Sequence, residues 1–341
     1  MKFLLYLSQN YSFEILRPLA KVMLDEGHQV KWFVEGNEVN RTLFHPTEAV
    51  LPTVDDAVAF HPDAVFLPGN VVPPFIPGLK VQLFHGFEWK KKGHFKIREC
   101  FDLYCTQGPF FTEKFLELRQ PHPHFTVKET GWPKLDALFN IHASNQREKD
   151  AVEILYAPTF SPSLTSTSAL FNEIVKLSQQ KPWVWKVKFH PKMEQSVIDR
   201  YKAAQHDKLV VVEDASILPL LSTCDVMLSD TSSAITEFLL LNKPVVTFNN
   251  AQPEPVLIDI TASSDLEAGI SQALACDATL MSAIKAYRNQ MHPYDDGASA
   301  QRVLAATIEE IREFPRSENV AKPKNWFRNF KLRKRLNYWR R

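Results

Sequence analysis

Short apolar runs, each closed by a turn residue and followed by a stretch of helical spacing, recur along most of this chain. The first is "KFLLYL", residues 2–7. Behind it Ile15, Leu19, Val22 and Met23 recur every three or four residues, which predicts a helix over 11–26. Gly27 ends that helix and "QVKWFV" reads as a second strand, so the chain opens β-α-β. "DAVFLPG", "KVQLFHG" and "DLYCTQG" repeat the pattern.

A polar stretch at 143–150, "ASNQREKD", then reads as a linker, and a second alternation begins. Its strands are "EILYAP", "WVWKVKFHP", "LVVVED", "DVMLSD" and "KPVVTF". Between them lie helical stretches such as "ALFNEIVKLSQQ", "SVIDRYKAAQ" and "ITEFLLLN". Strands alternating with helices imply parallel sheets covered on both faces, whose ligands gather at the strand carboxyl ends. Residues 265–314 read as mostly helical, broken around "HPYDDGAS". A last helix, 298–313, carries Val303, Ile308 and Ile311 on an imperfect apolar face that could pack on either domain.

Length agrees with this reading, since 341 residues suit two domains of roughly 150 each. With 45% hydrophobic and 23% charged residues, the chain has the composition of a folded, water-soluble protein. The opening apolar run is too short for a signal-peptide core, and no stretch approaches the ~20 apolar residues of a membrane span. A cytoplasmic protein is expected. Cys100, Cys105, Cys224 and Cys276 show neither a CxxC pair nor metal-ligand spacing, so they read as reduced, mostly buried thiols.

Charge changes the picture more than composition does. Residues 322–341 hold nine Lys or Arg and no acid, which leaves 31 basic against 39 acidic residues, a net −8, for the rest. Trp326, Phe327, Phe330, Tyr338 and Trp339 interleave with these cations, a mixture suited to the headgroups of an anionic bilayer. The acidic body argues against nucleic acid as a partner.

Four segments could carry chemistry. In "LSDTSSAITEF" a strand runs into Thr231, Ser232 and Ser233 at a helix start, where backbone N–H groups and the helix dipole favour an anion. An N-cap needs one hydroxyl and this turn offers three. Glu237, one turn on, could accept hydrogen bonds from a ribose or be a solvated residue. In "WKVKFHPK" alternation puts Lys186, Lys188 and His190 on one strand face, where lysines are costly unless they meet an anion. Thr159 of "YAPTF" stands at a loop entrance after a strand. In "LFHGFEWKKKGH", His85 sits at a strand end before a glycine, placed to act as a general base near neutral pH. Lys90 and Lys91, with Lys92, could hold an anionic acceptor, or be a solubilising face beside an idle loop histidine.

In order and spacing, "FHGFEWKKKG", "TGWPKLD", "LYAPTF", "KFHP", "LSDTSSAITEF" and "YDDGASAQRV" resemble the CDP-glycerol:glycerophosphotransferase family, over residues 80–305. The resemblance implies a GT-B-like α/β architecture: two Rossmann-like domains facing across a cleft, with C-terminal helices and a basic aromatic tail. The domains expected are 1–145, acceptor-side; 146–315, donor-binding with closing helices; and 316–341, the tail. It further implies transfer of glycerol phosphate, or a similar polyol phosphate, from a CDP-linked donor to a glycan or lipid-linked acceptor. That reaction belongs to teichoic-acid-type surface-polymer synthesis at the inner face of the membrane, with no metal and no cofactor. His85 corresponds to the catalytic base, with His190 the second catalytic candidate. Thr159, Lys188, Thr231, Ser232, Ser233 and Glu237 fall to the donor, and Lys90 and Lys91 to the acceptor.

In the family the first segment typically reads His-Gly-Thr-Pro-Leu-Lys and the fifth Asp-Tyr-Ser-Ser, with an acid after it. Here Phe87, Glu88 and Trp89 replace Thr-Pro-Leu, Thr231 replaces Tyr and Glu237 replaces Asp. Substrate preference is expected at residues 87–89. Competing readings are a GT-B glycosyltransferase using a nucleotide sugar, a UDP-N-acetylglucosamine 2-epimerase-like enzyme, and a silent nucleotide-binding module. A Thr-Ser-Ser turn followed by a single acid argues against the epimerase.

Overall fold

The computed structural model describes residues 1–87, 89, 93–144, 151–213, 216–313 and 321–339. Thirteen strands are present among them: β1 (Lys2–Leu7), β2 (Gln29–Val34), β3 (Val50–Leu51), β4 (Ala64–Leu67), β5 (Leu79–Gln82), β6 (Leu103–Thr106), β7 (Thr126–Glu129), β8 (Val152–Tyr156), β9 (Trp183–Val187), β10 (Leu209–Val211), β11 (Val226–Ser229), β12 (Val245–Phe248) and β13 (Ile258–Ile260). Helices fill the gaps: α1 (Ser12–Asp25), α2 (Val54–Phe60), α3 (Pro109–Arg119), α4 (Lys134–Ser144), α5 (Thr167–Gln180), α6 (Gln195–Ala203), α7 (Leu218–Thr223), α8 (Ala234–Leu239), α9 (Leu266–Ala275), α10 (Ala278–Met291), α11 (Ser299–Glu313) and α12 (Trp326–Arg335).

Two compact units result. Met1–Ala137 with Met291–Arg341 contains a seven-stranded sheet of order β3-β2-β1-β4-β5-β6-β7, and Leu138–Gln290 a six-stranded sheet of order β10-β9-β8-β11-β12-β13. Every strand pairing in both sheets is parallel. Strands covered on both faces read as unbroken apolar runs, as in β4 and in residues 226–228 of β11, where all residues are buried. Strands β3, β7 and β13, which the hydrophobic pattern misses, all lie at sheet edges. Two to four residues long, they carry little burial signal.

The closing segment belongs to the first unit, whereas the expected boundaries attached it to the second. Helix α11 buries Ala300, Val303, Leu304 and Thr307, an i, i+3, i+4, i+7 face, and packs on α1 and β6. Of the apolar face expected from sequence, Val303 is buried, whereas Ile308 and Ile311 are only half-buried.

The tail docks on the same unit. Leu332 and Tyr338 are buried, the Tyr338 ring stacks on Phe75 at 4.5 Å, and the Arg333 guanidinium lies 4.9 Å from the Phe75 ring. Lys322 Nζ reaches Asp102 Oδ1 at 2.7 Å, and Asn325 Nδ2 donates to Glu99 Oε2 at 2.8 Å. Tyr338 is therefore an anchor into the protein and leaves the set of expected bilayer residues. Trp326, Phe327, Phe330 and Trp339 remain exposed, beside exposed Lys324, Lys331 and Lys334.

Candidate active site

Because β9, β8 and β11 are parallel neighbours, "KFHP", "YAPTF" and "LSDTSS" emerge side by side at their carboxyl ends. The switch point of the second sheet falls between β8 and β11. Asp230, wholly buried, joins the loops on its two sides. Its Oδ1 accepts the backbone N–H of Thr159 at 2.8 Å and of Thr231 at 2.7 Å. Its Oδ2 accepts the N–H and the hydroxyl of Ser166, both at 2.9 Å. Four donors compensate a carboxylate that would otherwise be costly to bury. The Asp230 carbonyl in turn accepts from Asn250 Nδ2 at 2.7 Å. Sequence reasoning missed this residue as a site element, although it stands inside the segment singled out.

Around that anchor the hydroxyl turn is only partly used by the helix. Ser232 Oγ accepts the Ala234 N–H at 3.3 Å, and Ser233, at the N-cap position of α8, is exposed and makes no side-chain cap bond. Thr231 Oγ1 is buried without a hydrogen-bond partner among the described residues. Glu237 is buried, not solvated.

His190 is tied to the same region by stacking on Phe160, 4.4 Å between ring centroids. Its Nδ1 accepts the Lys192 N–H at 3.1 Å, which leaves the proton of the neutral ring on Nε2. Burial, and then the Lys192 ammonium, hold its pKa below the usual histidine value. At neutral pH His190 thus offers an N–H donor. Along β9 the expected alternation holds: Trp183, Trp185 and Val187 are buried while Lys186 and Lys188 are half-buried. Lys186 meets the Glu153 carboxylate at 3.7 Å, so its anion is part of the protein.

In the first unit His85 follows β5, half-buried, with Nδ1 3.3 Å from the carbonyl oxygen of Pro68 at the end of β4. A carbonyl only accepts, so Nδ1 carries the proton and Nε2 the lone pair, the state a general base requires. The Tyr11 ring lies 5.6 Å away. Phe84, just before it, has φ +59°, an unfavourable conformation for a bulky residue, held by stacking on His94. Two further bonds pin the loop: Gln107 Nε2 donates to the Gly86 carbonyl and Trp132 Nε1 to that of Phe84.

Of residues 87–89, where substrate preference is expected, Phe87 belongs to the core. Phe87 is buried edge-on against Trp132, 5.3 Å between centroids, and beside Phe111, so it fills the core. Trp89 packs on Phe110. Glu88, Lys90 and Lys91 lie outside the described residues.

Two family-like segments also prove structural. "TGWPKLD" and "YDDGASAQRV" pair with each other, Asp136 accepting the N–H groups of Ser299 and Ala300, and His292, two residues before the second segment, accepts the Trp132 N–H at Nε2. Gly131, at φ +78°, admits no side chain, since a Cβ there would stand 2.5 Å from Ser299 Oγ.

Comparison with known proteins agrees with these elements. The family model for CDP-glycerol:poly(glycerophosphate) glycerophosphotransferases matches residues 101–309, more than half of the chain. His85 precedes the matched stretch. The teichoic acid glycerol-phosphate primase of Bacillus subtilis (strain 168) is 29% identical over 164 residues, 44% of this chain and 42% of the primase, so the match spans less than half of that relative. Among solved structures, the wall teichoic acid polymerase TagF is similar with a TM-score of 0.64 at 13% identity, covering 91% of this chain and 89% of that one. A UDP-N-acetylglucosamine 2-epimerase-like protein from Listeria monocytogenes reaches 0.67 at 15% identity, covering 94% and 99%. At such identities the likeness shows the fold, a GT-B-like pair of Rossmann-like domains.

Proposed function

Since the chain belongs to the CDP-glycerol:poly(glycerophosphate) glycerophosphotransferase family, we propose that it moves glycerol phosphate, or a similar polyol phosphate, from a CDP-linked donor to an acceptor hydroxyl, releasing CMP. The acceptor is a surface-glycan or lipid-linked chain of the teichoic-acid type. What carries this reading is the strand-end cluster organised by Asp230, which gathers the loops that follow adjacent parallel strands.

In the proposed reaction His85 Nε2 takes the proton of the acceptor hydroxyl as its oxygen attacks the β-phosphorus. The bond from that phosphorus to the bridging oxygen breaks, and CMP leaves with the electron pair. Thr159, Thr231, Ser232, Ser233 and the Nε2–H of His190 donate to the pyrophosphate oxygens, where charge accumulates. Lys188 adds positive charge, and Glu237 takes the place of the family's acid toward the ribose. Fixed donors and the α8 dipole neutralise the leaving phosphate, so no metal is assigned a role. Incubating the protein with CDP-glycerol and membrane extract should release CMP. UMP or UDP release from nucleotide sugars, with none of CMP, would favour the glycosyltransferase, and no release from any donor would leave only a binding module.

The tail supports action at the membrane's inner face. Among the described residues no helix is long and apolar enough to cross a bilayer. Helix α12 presents Trp326, 72% exposed, and Phe327, 88% exposed, amid lysines. Replacing Trp326, Phe327 and Phe330 with serine should abolish co-flotation with anionic vesicles at physiological salt. A variant that floats as well as the parent would remove the tail from membrane binding.

A further inference from the structure

At the switch point of the first sheet, between β1 and β4, lies a crevice of about 380 Å³. Its lining includes Tyr6, Ser8, Asn37 and Asn70, and Arg335 at the end of α12 reaches into it. We infer that this crevice binds a neutral, hydroxyl-rich group, a sugar ring of the acceptor, held by the Ser8 hydroxyl and the amides of Asn37 and Asn70. The inference rests on the transferase reading, which requires an acceptor.

Charge selects the class of ligand. Two carboxylates, Glu35 and Glu38, face a single guanidinium, that of Arg335, so the lining carries a net charge of −1. Arg335 is already paired with Glu35, and Glu38 accepts from Gln9 Nε2. Among the described residues the lining offers no cation without a carboxylate partner, and its net negative charge disfavours a phosphate. Glu35 is 5% exposed and accepts the Tyr6 hydroxyl at 2.5 Å. Burial, and then the Glu35 charge, push the Tyr6 phenol well above its ordinary pKa, so it stays a donor throughout the working pH range. The Ser8 hydroxyl and the amides of Asn37 and Asn70 both donate and accept, as sugar hydroxyls do. The volume falls within the roughly 300–1,000 Å³ of small-molecule sites.

Position ties the crevice to the reaction. The loop after β4 supplies Gly69 and Asn70 to the lining, and its first residue, Pro68, accepts from His85 Nδ1. The loop after β1 supplies Ser8 and Gln9 and continues to Tyr11, whose ring faces that of His85. The same two loops thus carry the crevice wall and the contacts of the proposed base.

The test titrates the full chain with the methyl glycosides of glucose, galactose and N-acetylglucosamine, followed by ligand-observed NMR. Inorganic phosphate serves as competitor, and CDP is titrated separately. At least one glycoside should bind in the millimolar range, undisturbed by phosphate. Asn70→Ala and Asn37→Ala, both on loops and outside the core, should each weaken it about fivefold, the effect of one lost hydrogen bond. The inference is overturned if none of the glycosides binds, if both variants bind like the parent, or if phosphate displaces the sugar. CDP binding reports the other half: a parent that takes a glycoside but no CDP would contradict the transferase reading and leave the crevice assignment standing.

Discussion

Replacing His85 with alanine is expected to lower kcat by about 10²–10⁴-fold, the contribution of a positioned general base. This corresponds to about 3–5 kcal/mol of transition-state stabilisation. Donor affinity should stay within about threefold of the parent, because the pyrophosphate donors proposed for CDP-glycerol lie in the second unit. His85→Gln separates proton transfer from positioning. A glutamine can still donate to the Pro68 carbonyl, which His85 Nδ1 reaches at 3.3 Å, but it cannot take a proton. Both variants should therefore fail alike. Stopped-time assays of CMP release with CDP-glycerol measure this, and a glutamine variant retaining more than a tenth of the parental kcat would disqualify His85 as the base.

Asp230→Ala should remove a large share of the stability of the proposed donor half. It leaves three backbone N–H groups, those of Thr159, Ser166 and Thr231, without their acceptor in a buried setting. At roughly 1–3 kcal/mol for each stranded donor, less what relaxation and entering water recover, the loss is on the order of 3–6 kcal/mol. For a unit of about 150 residues that lowers Tm by on the order of 10 °C or more. The milder Asp230→Asn keeps one acceptor oxygen but turns an NH2 group toward existing donors. It should retain the fold and weaken CDP binding at least about tenfold, because Thr159 and Thr231 lose their shared anchor. Calorimetric titration with CDP beside a thermal melt distinguishes the two effects. An Asp230→Asn protein with parental melting and parental CDP affinity would show that the carboxylate does not organise the site.

The central strands were legible because a strand covered on both faces must be apolar throughout, and the turn residues after it mark where the carboxyl end lies. His85, Thr159, His190 and the Thr231–Ser233 turn could be picked out because each follows a segment that reads as a strand. Edge strands β3, β7 and β13 escaped notice because half-covered segments of two to four residues leave no periodicity to count. Phe87 was misassigned for a different reason. Its neighbours Trp132 and Phe111 lie far along the chain, and only their packing makes it core.

By itself, then, the sequence determined two alternating α/β domains and the strand ends at which chemistry belongs, because backbone hydrogen bonding and burial impose local periods of 2 and 3.6 on residue order. Tertiary structure alone decided that Asp230 binds the loops on both sides of the second switch point. It also decided that α11 returns to the first unit, and that Arg335 meets Glu35 beside the crevice. Those pairings depend on strand order and on which faces meet, and no local period of the chain records either.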